Sequence, residues 1–282
     1  MPELHPPFAP LRGLALALSL SVAAIGAAKG DPIATAALAA MSEADIVILG
    51  EVHDNPEHHR NQARAVAAIA PAALVWEMLT PGQAARMPDV RDDAQAVAEA
   101  LDWDATGWPD FSLYHPIVLA APGAQTYGAG VPRERARRVF EEPASEVFAD
   151  LFGVDAGPLG LDTPLAPADQ AAREAEQATA HCDALPGHLL PGMVAAQRLR
   201  DAALAHVALT AFAETGGPVV VIAGTGHARN DIGIPAFLRQ AEGDLRVVTL
   251  GQMEAEPDAD APFDFWIVTE PVSRPDPCAA FR

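Results

Sequence analysis

Cysteine, tyrosine and positive charge are scarce in this sequence. Only Cys182 and Cys278 occur in 282 residues, which excludes a cysteine-built zinc site and a disulfide-dense scaffold. Basic residues number 18 against 38 acidic ones, for a net charge of −20, and they form no Lys/Arg block, so no nucleic-acid partner is expected. There is no Gly-x-Ser-x-Gly elbow, and no helical zincin motif, because Glu51-x-His53 lacks the i, i+4 histidine spacing. The longest uncharged apolar run, Gly13 to Ala28, falls short of the roughly 20 residues that span a bilayer.

That run follows Arg12 and ends in small residues, Gly26 and Ala28, placed as a signal peptidase would require. Residues 1–28 are therefore read as a signal peptide and the chain as exported to the periplasm. No Cys near Ala28 offers an attachment point for a lipid anchor. In an oxidising compartment Cys182 and Cys278 could tie the tail to the body, and two unpaired buried thiols are the other reading.

"ADIVILGE" and "ALVWEML" are short β-branched runs ending abruptly at Glu51 and Glu77, as buried parallel strands do. Between them "NPEHHRNQARAVAAIA" opens with Asn55 as a cap and Pro56 in the first turn, then repeats Ala63, Val66, Ala67 and Ala70 at helical spacing. "PVVVIAGTGHAR", "LRVVTLGQ" and "FDFWIVTE" supply further strands. The fold class is α/β, a mostly parallel sheet flanked by helices with a smaller helical insert. The core is assigned to 29–133 and 215–282, and the insert, where strand signal fades, to 134–214.

Ligands of such sheets collect beyond the carboxyl ends of the strands. Three strands deliver polar groups there: Glu51 and His53, Glu77, and His227, accompanied by Gly50, Gly224 and Gly226. These four side chains could hold a divalent metal or act as acid and base on water. His58 and His59 lie in the first helical turn, where about 100° per residue lets one at most face the site and leaves the other at the surface. Tyr114, beside His115, is either a ring packed on the core or an oxygen ligand for ferric iron. "QRLRDAALAH" sets Gln197, Asp201 and Leu204 on one stripe with Arg198 next to it. Arg198 could reach Glu51 or Glu77, or make a plain surface pair.

"ILGEVHDNPEHHRNQ", "VWEML", "GWPDFSLYHPIVLAA", "HCDALP", "MVAAQRLRDAALA" and "VIAGTGHARNDIGIP" occur in that order. The ordered set resembles the ChaN-like family of bacterial haem-binding uptake proteins over about Asp45 to Leu250. The resemblance implies an exported protein that binds haem for iron uptake, with an outer-membrane uptake partner and a homodimer both conceivable. Its core is similar to that of erythromycin esterases, TraB proteins and Tiki metalloproteases, some of which are hydrolases. It carries Gly50, Glu51, His53, Glu77 and His227 as the polar site and Tyr114 as the candidate haem-iron ligand. Tyr114, His115, Glu51, His53, His59, Gln197, Arg198, Asp201 and His227 are thus the candidate cofactor-binding set. The alternatives are a hydrolase built on Glu51, His53, Glu77 and His227, and an exported module for another small molecule. Sequencing the N-terminus of protein recovered from its own host should begin at or just after Ala28; a chain beginning at Met1 would end the export reading.

Overall fold

Alternate residues of the apolar runs face opposite sides of one sheet, because successive side chains of a strand point to opposite faces. The computed structural model describes residues 33–276, 278 and 279; the expected signal segment 1–28 lies outside the described residues. The strands are β1 (Ile46–Glu51), β2 (Ala73–Trp76), β3 (Gln125–Gly128), β4 (Val219–Gly224), β5 (Val247–Met253) and β6 (Phe265–Val268). They lie in the order β3-β2-β4-β1-β5-β6, and every pairing is parallel.

Each face of the sheet has its own core. Val47, Leu49, Leu74, Trp76, Val220 and Ile222 pack toward the helices Pro56–Ile69 and His115–Ala120. Ile46, Ile48, Val75, Val219 and Val221 pack toward the helices Leu190–Thr215 and Ile234–Ala241. With both faces covered, β1 and β4 are buried along their whole length, which explains why they read as continuous apolar runs rather than alternating ones.

Between 133 and 215 the described residues are helices and turns alone. Their longest helix, Leu190–Thr215, buries Ala196, Ala202, Ala205, Ala208 and Ala211. Alanines at this spacing let the helix axis come close to the sheet, and Leu199 and Leu204 fill the space beside them. The helical stretch therefore covers a sheet face and shares its core with the strands. A disulfide joins Cys182 to Cys278, fastening the tail to the end of the Pro167–Ala180 helix.

The helix Pro56–Ile69 begins where its sequence says it should. Asn55 accepts a hydrogen bond from the Glu57 N–H at 3.0 Å, Pro56 occupies the first turn, and Ala70 closes the helix at φ 51°. Asn55 also donates to Glu254, Thr269 and the Glu270 carbonyl, so the cap doubles as a tie between the β1 loop and the tail.

At the end of β3, Gly128 runs directly against the Thr80 backbone, and an added Cβ would collide with the Thr80 carbonyl. Gly128→Ala should cost about 1–3 kcal/mol, in line with other overpacked sites, read as a lower urea midpoint at unchanged slope.

Candidate functional site

β2, β4 and β1 are neighbours in the sheet, with Glu51 in register with Gly224 and the Glu77 N–H bonded to the Ile222 carbonyl. Their carboxyl ends therefore open on one crevice. Glu51, His53, Glu77 and His227 meet there, as their places at three strand ends led one to expect.

Glu51 is buried and holds three groups. His53 donates through Nδ1 to Glu51 Oε1 at 2.7 Å, the Tyr114 hydroxyl donates to the same oxygen at 3.1 Å, and His59 Nδ1 lies 3.4 Å from Oε2. The His59 ring is fixed from its other nitrogen, which bonds the His53 carbonyl at 2.8 Å. That second contact leaves Glu51 Oε2 and His59 Nδ1 facing each other without a completed hydrogen bond. His53 is the open member of the group. Its side chain is 30% exposed, and its ring packs on Trp108 with centroids 4.5 Å apart. Burial works against a proton on His53, but the hydrogen bond to Glu51 and the charges of Glu77 and Glu51 outweigh it and raise its pKa.

Glu77 continues the row. Its Oε2 accepts the Gly224 N–H at 2.8 Å and lies 4.0 Å from His53 Nε2, while Oε1 is 3.3 Å from His227 Nε2. His227 Nδ1 donates to Asp201 Oδ1 at 2.6 Å, with the Gln197 amide 3.1 Å from the same nitrogen. Burial opposes a charge on His227, yet the carboxylates of Glu77 and Asp201 on either side lift its pKa to about 10. Glu77 is driven the other way: burial would raise it, but His227, His53 and the Gly224 N–H hold it down at about 2. Asp201 is raised, because burial exceeds what His227 returns. The three share one interaction, and the direction that matters is a proton retained on His227 through neutral pH.

Several expected positions are corrected. Tyr114 lies beneath the site and not on its rim: its side chain is fully buried, and its hydroxyl is committed to Glu51 and, at 3.4 Å, the His53 carbonyl. Burial and the neighbouring Glu51 push its pKa up, and in this arrangement the oxygen faces Glu51 rather than the rim where an iron ligand was expected. His115 points away, bonding the Arg91 carbonyl at 2.8 Å. Arg198 reaches neither Glu51 nor Glu77; it donates to the carbonyls of Gly160 and Thr163. His58 is buried rather than exposed, because the tail closes over the helix start. It takes the Val52 N–H at Nδ1 and meets Thr269 at Nε2, both at 2.8 Å, and burial lowers its pKa to about 4. Among the described residues no three His, Cys, Asp or Glu are arranged to hold a metal ion.

Two participants went unread in the sequence. Trp108 packs its ring at a tilt against His53 from a loop, where no periodic signal marks it. Arg200 lies three residues after Gln197 and four before Leu204, so extending the Gln197–Asp201–Leu204 stripe would have found it. Beside Glu77 opens a cleft of about 570 Å³, with Trp108, Val131 and Pro132 as apolar wall, Thr80, Gln83 and Glu134 among its polar lining, and Arg133 and Arg200 as positive charges. The volume is ordinary for a small-molecule site.

Tyr114 and Arg274 both brace the β1 loop, Tyr114 through Glu51 and the His53 carbonyl and Arg274 through Asp54. Arg274 pairs with Asp54 at 2.7 Å and with Glu254 at 2.5 Å. The linkage of the row to stability has a definite sign. His227, raised from 6.5 to about 10, adds stability that is complete below 6.5 and lost as pH rises through 10. Glu77, lowered from 4.5 to about 2, adds stability that is complete above 4.5 and lost as pH falls through 2. Urea denaturation should thus show a maximum between those limits from this row. Asp201→Asn should lower the His227 pKa by more than about one unit, followed by NMR titration of its imidazole; an unmoved titration would break the assignment.

A family model described as "Haem-binding uptake, Tiki superfamily, ChaN" matches residues 37–238. No curated protein matches the chain. Among solved structures, ChaN of Campylobacter jejuni, described as binding haem cofacially, superposes with a TM-score of 0.62 at 19% identity, covering 80% of this chain and 88% of that one. The type III effector HopBA1 aligns at 14% identity with a TM-score of 0.46, over 83% of this chain and 91% of its own. An erythromycin esterase, EreC, in its open conformation aligns at 15% identity with a TM-score of 0.41, over 82% and 77%. At 19% identity the ChaN superposition speaks to the fold alone, the shared α/β architecture. The family model spans most of the chain, and the chain belongs to the ChaN-type haem-binding uptake family of the Tiki superfamily.

Proposed function

We propose that this chain binds haem in the cleft beside Glu77 and serves haem or iron uptake or handling after export. The observation that carries the reading is His53, an imidazole held by a buried carboxylate at one ring nitrogen and partly open beside a cleft of mixed lining that bears two arginines. Membership of a haem-binding family supplies the ligand class.

The residues suit such a ligand. Trp108, Val131 and Pro132 offer the porphyrin face apolar contact, and Arg133 and Arg200 offer its carboxylates positive charge. Bound haem would supply a ferric centre able to accept a nitrogen or oxygen donor, and His53 is the residue that would hold it. With Nδ1 tied to Glu51, His53 has only Nε2 to give. Trp108 restrains the ring from one side. The Glu51, Glu77 and His227 row acts here as an orienting scaffold. The Campylobacter jejuni ChaN binds haem cofacially; the same mode in this chain would bring two copies face to face, and an outer-membrane partner would be the donor or acceptor.

Titrating haemin into the purified protein should give a saturable Soret shift. His53→Ala should weaken binding by at least about tenfold, the scale of one lost ligand contact. Tyr114→Phe should bind nearly as wild type, since its hydroxyl lies under the site. No saturable change, or His53→Ala binding unaltered, would overturn the assignment.

A further inference from the structure

A second cavity, of about 380 Å³, opens among the helices Pro167–Ala180, Leu190–Thr215 and Ile234–Ala241. Leu159, Leu165, Ile232 and Phe237 form its apolar lining. A recess of about 30 Å³ shares Arg173, Arg198 and Ile232 with it and reaches Gln197 and Asp201.

Arg173 and Arg198 are both partly buried and line both the cavity and the recess. Arg60, Arg138, Arg229, Arg246 and Arg274 each have a carboxylate in ion-pair contact. Arg198 has none among the described residues and donates through Nη2 to two neutral carbonyls, Gly160 at 3.3 Å and Thr163 at 2.9 Å. Arg173 makes no hydrogen bond or ion pair among the described residues, and its Nε is buried without a partner. Burial, and then the charge of Arg173, depress the pKa of Arg198, so the pair is held together against its own repulsion. The carboxylates nearby are committed or exposed. Asp201 is spent on His227, Glu176 on Arg229 at 3.1 Å, and Asp169 stands in solvent at the rim. Two neighbouring guanidinium groups, one with its Nε buried and without a partner, leave donors at the cavity wall that an anion would complete.

We infer that the cavity bounded by Arg173 and Arg198 is a binding site for a small organic carboxylate with a short apolar tail. The planar guanidinium fork matches a carboxylate bidentately, and Leu165, Ile232 and Phe237 receive the tail. The site stands apart from the haem reading: none of its lining residues borders the cleft beside Glu77.

Calorimetric titration of the full chain with hexanoate should show saturable binding, weakened at least about tenfold by Arg173→Gln and by Arg198→Gln, the size of one lost charged hydrogen-bond pair. Inorganic phosphate, which lacks a tail, should bind more weakly. On the wild-type protein, hexanoate should shift the Ile232 methyl resonances, a readout independent of how well either variant folds. No saturable binding, unmoved Ile232 methyls, or both variants binding as wild type would overturn the inference. Phosphate binding as tightly as hexanoate would overturn the choice of ligand class.

Discussion

A protonated imidazole buried between two carboxylates is the interaction on which this site depends. His227 comes from the turn after β4, Glu77 from the end of β2 and Asp201 from the Leu190–Thr215 helix. In a medium of low dielectric each of these charges alone would be prohibitive, and together they hold only in a narrow geometry. The row therefore fixes the helix on the sheet in one register at one end. The alanine packing along the rest of that helix is permissive by comparison, because small side chains tolerate sliding. Removing one member would leave the other two uncompensated, which makes the row a determinant of position as well as of charge.

The same logic extends to Glu51. Tyr114 remains a protonated donor because its surroundings are apolar and anionic, so Glu51 always has a hydroxyl beneath it. With one oxygen shared by Tyr114 and His53, the proton of neutral His53 is kept on Nδ1. A tautomer is thus chosen two side chains away from the solvent. The aromatic rings of Trp76 and Trp103 around Tyr114 keep that chain of influence dry.

Much of this was legible in the sequence, for a physical reason. A parallel strand covered on both faces must be apolar until it leaves the sheet, so Glu51 and Glu77 mark where β1 and β2 end, and His227 follows the glycines that end β4. What stayed hidden depended on angles and distant segments. Arg198 and Arg200 differ by two residues on one helix, yet about 200° of rotation sends one to the Gly160 loop and the other to the cleft. His58 is buried by Thr269, more than two hundred residues further on, which no local pattern could reveal. Tyr114 carries a motif suited to ligation, and only its depth in the fold assigns its hydroxyl to Glu51.

The tail bears on that site in a further way. Asn55 and Arg274 lash the segment after β6 to the loop that carries His53, and the bond from Cys182 to Cys278 anchors its far end. The last strand's exit thus works as a guy-rope on the crevice. A protease nicking the polypeptide just past Thr269 would slacken the loop that carries His53 while sparing the sheet, and a bulky tag fused there would strain the same tether.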